Sequence, residues 1–531
     1  MEVTPAGETV WEYIVPVSGP NTYKVLGDRL PMVNSIFRAY RYKATHPALA
    51  GRTLTPGATI AGRTSIDNPY AGTSGYRALQ RSTGTQYWDS SIAYNGYTFL
   101  DASGSSYLID MDGRVVHTWA TGNDPRLLPT GHVLDWTSNA SGQTGPKEVD
   151  WNGNSVWQYF ETRSSYHPHG AFSRIFDPKL NAYATLYLAN KDLTPAQCLA
   201  AGCDPADAPF DGAQVDTIVE VDMSGNIIWE WSFWDHAIQS IDASKANTVA
   251  GGKTIADYPG KINLNLPGRP LRSNWLDCNS LDFNQTLDQI VVNSRQGEFY
   301  IIDHGNTFTA GNPTASIALA ASSAGDFLYR FGDPARYSQG NAPSVGLNWE
   351  TASSGNKQIG GSSDVTWIAS GLSGAGNLLL FNNNQYLYQR TPQSYVFEIN
   401  PHLNSAGIPG ATYIDPPGAG YTTWTFDKDT MKANQFLSKQ VTWKYGSVGN
   451  LTLFSQFGSS AQRLPNGNTL ICATTTGYLM EVTATGDVVW EYINPITPSG
   501  AQTALGDRLP MTNAVNRARR YAYSDSALSG H

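Results

Sequence analysis

SYLIDMDGRVVHTW, at Ser106–Trp119, alternates apolar and polar residues on both sides of an Asp-Met-Asp-Gly turn and ends on an aromatic. Period-2 alternation marks a half-buried strand, and Gly113 supplies the positive φ that a tight hairpin needs. The phrase returns as EVDWNGNSVWQY at Glu148–Tyr159, TIVEVDMSGNIIWEW at Thr217–Trp231 and YLMEVTATGDVVWEY at Tyr478–Tyr492. Weaker versions span Glu298–Phe331 and Tyr395–Trp424, where a longer excursion replaces the turn. Ahead of most of these stands another strand-like run: Leu128–Asp135, Ala184–Asn190, Gln289–Ser294, Gly376–Asn382 and Leu464–Cys472. Inner strand, turn and hairpin make about four strands per unit, repeated six times at roughly 45–80 residues. The pattern predicts an all-β, six-bladed β-propeller with insertions; a large two-sheet sandwich is the alternative. Helix is expected only inside insertions, as at Met431–Ser438.

A second repeat has a different character. Residues 1–52 align without a gap onto 480–531 at a constant offset, with about half of the positions identical. Val10-Trp11-Glu12-Tyr13-Ile14 matches Val489–Ile493, Leu26–Met32 recurs as Leu505–Met511, and Arg38, Ala39, Arg41 and Tyr42 recur as Arg517, Ala518, Arg520 and Tyr521. The second copy has an inner strand, Leu464–Cys472, just upstream; the first has none. The expected organisation is therefore an extra blade hairpin plus tail at 1–57, a linker at 58–95, the propeller at 96–496 and a C-terminal tail at 497–531. An unpaired hairpin offers a free sheet edge, which invites pairing with another chain. Val3, Val10, Trp11, Tyr13 and Ile14 are the expected linking residues of a homo-oligomer or filament. A tandem array of such units and an intramolecular flap are the alternatives.

Only 15% of the residues are charged, while Gly (51), Tyr (28) and Trp (15) are plentiful, which excludes a disordered chain and a coiled coil. A net charge of −9 and a pI near 5.5 exclude a phosphate-backbone binder, so no nucleic acid partner is expected. No apolar run is long enough to span a bilayer. Met1-Glu2-Val3-Thr4 begins on strand-like sequence and not on a signal peptide. Low charge, abundant Ser, Thr, Asn and Tyr, and sequons at Asn139, Asn284 and Asn450 point to an extracellular or cell-surface protein carrying glycans. Cys198 and Cys203 flank Leu-Ala-Ala-Gly within a Pro/Asp-rich stretch and are a candidate disulfide; Cys278 and Cys472 read as buried small hydrophobes.

Taken together, the hairpin phrases resemble the bacterial arylsulfotransferase-like family. The matching phrases run from about Tyr97 to Pro495 and include Gly113–Trp119, Trp229–His236, Asn279-Ser280, Ser294-Arg295, Asn377–Asn382 and Ala461–Leu470. The resemblance implies a six-bladed propeller, and in some members transfer of a sulfuryl group from an aryl sulfate to a phenol through a sulfated histidine. The family's nucleophile stands in a Gln-His-Asp phrase where this chain reads Gly361-Ser362-Ser363-Asp364, so Ser363 takes the imidazole's place. A second family histidine stands in Asp-Trp-x-His-x-Asn-Ser, and here Asp277 occupies it. An aspartate there would repel a sulfate ester. Asn279 and Arg295 match, and His169 stands near a third histidine phrase whose Asp has become Gly170. The expectation is a catalytically silent, self-assembling structural propeller. The alternative is an active sulfotransferase using His169, His236, Asn279 and Arg295 around the channel. His167 and His169 share one strand face, but no further ligand cluster accompanies them, so neither a metal nor a cofactor is expected.

Overall fold

A computed structural model of the chain describes residues 81–531 except 123, 207–211, 267–270, 341–356, 384–393, 405, 411, 414–424, 428–431, 435–437, 447–452, 502–503 and 506–512; ahead of residue 81 it describes the short strands at 2–3, 9–11, 17–18 and 21–22. Six antiparallel sheets form a six-bladed β-propeller. From the axis outward, blade two is Arg126–Leu127, Val133–Ser138, Thr144–Val149 and Ser155–Gln158; blade three is Tyr166–Asp177, Ala182–Leu193, Ala213–Asp222 and Ile227–Ser232. Blade four is Cys278–Asn284, Gln289–Ser294, Glu298–Asp303 and Phe327–Phe331; blade five is Ser362–Trp367, Leu378–Asn382, Tyr395–Ile399 and Val441–Tyr445. The outer strand of blade five is thus Val441–Tyr445, and the expected hairpin ending at Trp424 is not formed. Two short α-helices, Pro195–Ala201 and Pro313–Ala320, lie in excursions between strands. Lys432–Asn434 is a strand paired with Thr425–Asp427, where a helical piece was expected.

Blades one and six close the ring, and they do so from both ends of the described chain. Blade one is Ala518–Ala522, Gly96–Ala102, Ser105–Ile109 and Val115–Trp119, so the C-terminal tail supplies its innermost strand. Blade six is Ser460–Arg463, Thr469–Ala473, Tyr478–Val482 and Val488–Ile493, with Gly84–Trp88 added as a fifth, outermost strand. The ring therefore reaches beyond 96–496 on both sides. Arg520 locks the seam: its buried guanidinium donates to Thr98 Oγ1 (2.6 Å) and the Tyr94 carbonyl (2.8 Å) in and beside blade one, and to Glu481 in blade six (3.3 Å).

The recurring phrase has a physical basis. In the first hairpin, Gly113 at φ 81° donates to the Asp110 carbonyl, while the Asp110 side chain accepts from the Arg114 N–H. The aromatic two residues before the end of each phrase then reaches the next blade. Trp490 Nε1 donates to the Met111 carbonyl (2.9 Å), His117 Nε2 to Trp151 (3.0 Å), Trp157 Nε1 to Met223 (3.0 Å) and Trp443 Nε1 to Ala484 (2.9 Å). Each of these carbonyls belongs to the second residue of the neighbouring blade's turn. At the other two seams side chains accept instead: Trp229 Nε1 donates to Thr307 Oγ1 (3.0 Å) and Tyr329 OH to Gln440 Oε1 (2.9 Å). A large apolar body with one polar atom at its rim suits this place, where the ring is buried or half-buried and the donor must cross.

The N-terminal copy repeats the geometry of the second. Glu2–Val3 pairs with Thr9–Trp11 as Glu2↔Trp11 and Val3↔Thr9, with an irregularity between Glu2 and Val3. Glu481↔Trp490 and Val482↔Val488 pair in the same register, with the irregularity at the same place. Val17–Ser18 with Asn21–Thr22 likewise mirrors Ile496–Thr497 with Gly500–Ala501. Val3, Val10 and Trp11 lie on these strands, whereas Tyr13 and Ile14 fall outside the described residues.

Candidate functional site

The innermost strands run the same way around the axis, so their first residues share one end of the channel. Four backbone positions there are strained or bulged. Asp124 (φ 59°), Asp277 (φ 52°) and Asp364 (φ 56°) are left-handed non-glycine residues, and Gly170 (φ 64°) sits in a register break between His169 and Phe172. Further breaks follow Cys278 and Ser363. Bulges of this kind re-aim side chains, and such strain concentrates at functional sites.

What these positions build is a charge cluster. Arg517, just ahead of the closing strand, donates to both oxygens of Asp124 (3.0 and 3.1 Å) and also pairs with Asp364. Arg519 Nη2 donates to the other Asp364 oxygen (2.6 Å), and Arg126 pairs with Asp124 (2.9 Å). Blades one, two and five thus meet across the channel end. Burial alone would raise Asp364 and Asp124, but the neighbouring guanidiniums outweigh it and hold both carboxyls below the usual range. Burial and the Asp124 charge push Asp101 up to about 6, although Asn516 and the Arg517 N–H donate to it. Burial and Arg517 lower Arg126.

The sequence candidates distribute around this cluster. Asn279 Nδ2 donates to the Ser362 carbonyl (2.8 Å), and its Oδ1 accepts from Asn293 (2.6 Å). Ser363 is buried and donates to Asn383 Oδ1 (3.0 Å), with no base among its hydrogen-bond partners in the described residues. Arg295 faces Asp277 at 3.4 Å, so its charge is matched by the residue in the second histidine position. His169 lies 3.2 Å from the buried Asp216, and His167 turns to Asp192 at 2.8 Å; the two imidazoles have separate partners and do not converge. His236 lies away from the channel, beyond the outer strand of blade three, stacked on Trp231 and hydrogen-bonded to Asp326 and the Ala320 carbonyl (both 2.9 Å). Its role there is structural, which corrects its placement among the channel residues.

The expected Cys198–Cys203 disulfide is absent: both cysteines are free and buried. The turn that ends Pro195–Ala201 at Gly202 brings them together, with the Cys203 N–H donating to the Cys198 carbonyl (3.0 Å). The Cys198 thiol, then burial, pushes the Cys203 thiol up. Asn139 and Asn284 sit in turns where their side chains cap backbone N–H groups, and Asn450 lies outside the described residues. A cleft of about 300 Å³ opens beside Glu161, Arg163, Tyr166 and His167, but Arg163 is taken up by Glu161 and Glu230. Among the described residues no helix is long and apolar enough to cross a membrane.

The residues that sequence reading missed are Asp101, Asp124, Arg126, Arg517 and Arg519. One signal was available: Arg517, Arg519 and Arg520 crowd together in a chain poor in charge, and alternate residues of a strand share a face.

A search of curated proteins finds no match. Three solved structures are similar: a protein of unknown function from Bacteroides caccae (11% identity, TM-score 0.34, covering 80% of this chain and 98% of that one), the Cps50 (Swd1) β-propeller domain of Myceliophteria thermophila (8%, 0.31, 77% and 89%) and streptogramin B lyase (8%, 0.29, 78% and 86%). The sequence profile of arylsulfotransferase (ASST) matches residues 210–500, more than half of the chain. The chain belongs to the arylsulfotransferase family.

Proposed function

We propose that this protein is an extracellular, self-assembling structural propeller whose channel has given up sulfuryl transfer by a histidine nucleophile. The observation that carries the reading is the duplicated ring-closing segment. The second copy closes the ring through Glu481, Trp490, Asn513, Arg517, Ala518, Arg520, Ala527 and Leu528. The first copy holds the same residue at every one of these positions: Glu2, Trp11, Asn34, Arg38, Ala39, Arg41, Ala48 and Leu49. A segment with those groups suits the same seat, and in its own ring that seat is taken. Occupying the seat of another copy, once that copy's own C-terminal segment has left it, is a heterologous exchange, which propagates head to tail. The channel supports the silent reading as well. Sulfonate oxygens need free cationic donors, and Arg126, Arg295, Arg517 and Arg519 are each paired with an aspartate. Low charge and the turn positions of Asn139 and Asn284 support an extracellular, glycosylated setting.

Light scattering with negative-stain microscopy on the full chain and on one starting at Thr55 tests this. Long oligomers from the full chain and monomers from the shorter one are expected, and Trp11→Asp should behave like the shorter chain because it buries a charge at the contact. Folded monomers from both would sink the assembly reading. Transfer from a chromogenic aryl sulfate, lost on Arg295→Ala, would establish the active sulfotransferase instead.

A further inference from the structure

A second cluster of titratable groups lies far from the channel end, at the seam between blades three and four. Asp177 ends the inner strand of blade three, Glu220 lies on its third strand, and His304 follows the third strand of blade four. All three are fully buried, and one ligand atom of each lies within 4.8 Å of the others. Asp177 Oδ1 accepts from the Lys179 and Leu180 N–H groups (2.7 and 3.0 Å), while its Oδ2 is buried with no hydrogen-bond partner among the described residues. Glu220 Oε2 meets His304 Nε2 at 2.9 Å, and Glu220 Oε1 is likewise buried and unpartnered. Two orphaned carboxylate oxygens in one dry place are costly, because an unpaired buried acceptor forfeits its whole hydration.

The charge does not balance either. Asp288 Oδ1 holds His304 Nδ1 at 2.6 Å, so three carboxylates face one imidazole. Even a protonated imidazole leaves excess negative charge. Lys179 does not offset this: its ammonium is spent on the Gly305 and Phe308 carbonyls. The rest of the shell is apolar, with Trp229, Phe283 and Phe308 packed around the imidazole at 5.0, 5.6 and 5.2 Å.

We infer that Asp177, Glu220 and His304 bind a divalent transition cation of the zinc or manganese type that pins blade three to blade four. Two carboxylate oxygens and an imidazole nitrogen are the donor set such cations take at bonds of about 2.0–2.2 Å, and the three ligand atoms lie within 4.8 Å of one another. Asp288 completes the arrangement as the carboxylate that orients the ligating histidine through its other nitrogen. Gly305 keeps Asp288 in place, since a Cβ there would lie 2.7 Å from Asp288 Oδ2.

The full chain, purified without chelator, is analysed by elemental mass spectrometry, then stripped and titrated with Zn²⁺ or Mn²⁺ alone. One equivalent per chain is expected, with the unfolding midpoint rising by about 3 °C at a hundredfold excess over Kd. Asp177→Asn and Glu220→Gln should hold no equivalent and show no metal-dependent shift. Should either fail to fold, Asp288→Asn decides: it keeps every ligand and should weaken affinity about 10–100-fold at unchanged stoichiometry. Wild-type protein that binds no equivalent and whose midpoint ignores both metals overturns the site, as does wild-type affinity in Asp288→Asn.

Discussion

Replacing Asp364 by Asn perturbs the channel cluster with little disturbance of the backbone, because Asn tolerates the left-handed φ of 56° as Asp does. The substitution takes the ion-pair partner from Arg519 and leaves Arg517 held by Asp124 alone. Removing one partner of a buried pair costs about 3–5 kcal/mol, and the surviving Asp124 contact places the loss near 3 kcal/mol. Unfolding a ring that spans residues 84–522 carries an entropy of roughly 0.9 kcal/mol/K, so the midpoint should fall by about 3 °C. The pH dependence follows from the direction of the shift. Burial favours the neutral acid, but Arg517 and Arg519 outweigh it and keep the folded carboxyl below its ordinary value of 3.8. Its contribution is therefore present above pH 4 and is lost as pH falls through the folded value. Differential scanning calorimetry of wild type and Asp364→Asn at pH 7 and pH 3 reads both effects. A gap under 1 °C at pH 7, or one unchanged at pH 3, would refute the assignment of this cluster as a stabilising, mutually neutralised site.

Asp101 carries the opposite sign. Its folded carboxyl is raised to about 6, so its contribution is present below pH 4 and lost as pH rises through 6, by about 2–3 kcal/mol; urea midpoints at pH 5 and 7.5 should fall further for wild type than for Asp101→Asn. Trp229→Phe removes the indole donor to Thr307 and part of a fully buried ring, so a loss of about 2 kcal/mol is expected by chemical denaturation. Gly332 stands at φ 142° with the position of a Cβ only 2.1 Å from the Gly297 carbonyl oxygen; Gly332→Ala should cost about 4 kcal/mol or more and show as loss of soluble protein.

Hairpins were legible in the sequence because every signal they need is local. Asp110 to Gly113 holds the turn, period-2 alternation sets the faces, and the Trp or His two residues before the phrase's end marks the donor to the next blade. The closing strand was not legible in the same way. Ala518–Ala522 reads as a tail because its partner, Gly96–Leu100, lies more than 400 residues upstream. Asp124, Asp364, Arg517 and Arg519 come from three different blades, and no spacing along the chain announces their meeting. Cys198 and Cys203 show the limit of spacing in another form: the sequence placed them together correctly, but proximity does not set the redox state of two thiols. His236 belonged to a family phrase, yet that phrase describes a hairpin's end and not a channel wall.

Supplying the inner strand of blade one from residues 518–522 also orders events in time. The other three strands of that blade have all been made by Trp119, and the chain must grow by about 400 residues before the fourth exists. At roughly 5–20 residues per second, the sheet edge along Gly96–Ala102 stays open for some 20–80 s on the ribosome. An edge left open that long is a template for pairing with another chain. Here the stretch Arg38–Tyr42, which repeats four of the five residues of Arg517–Tyr521, has already emerged ahead of it.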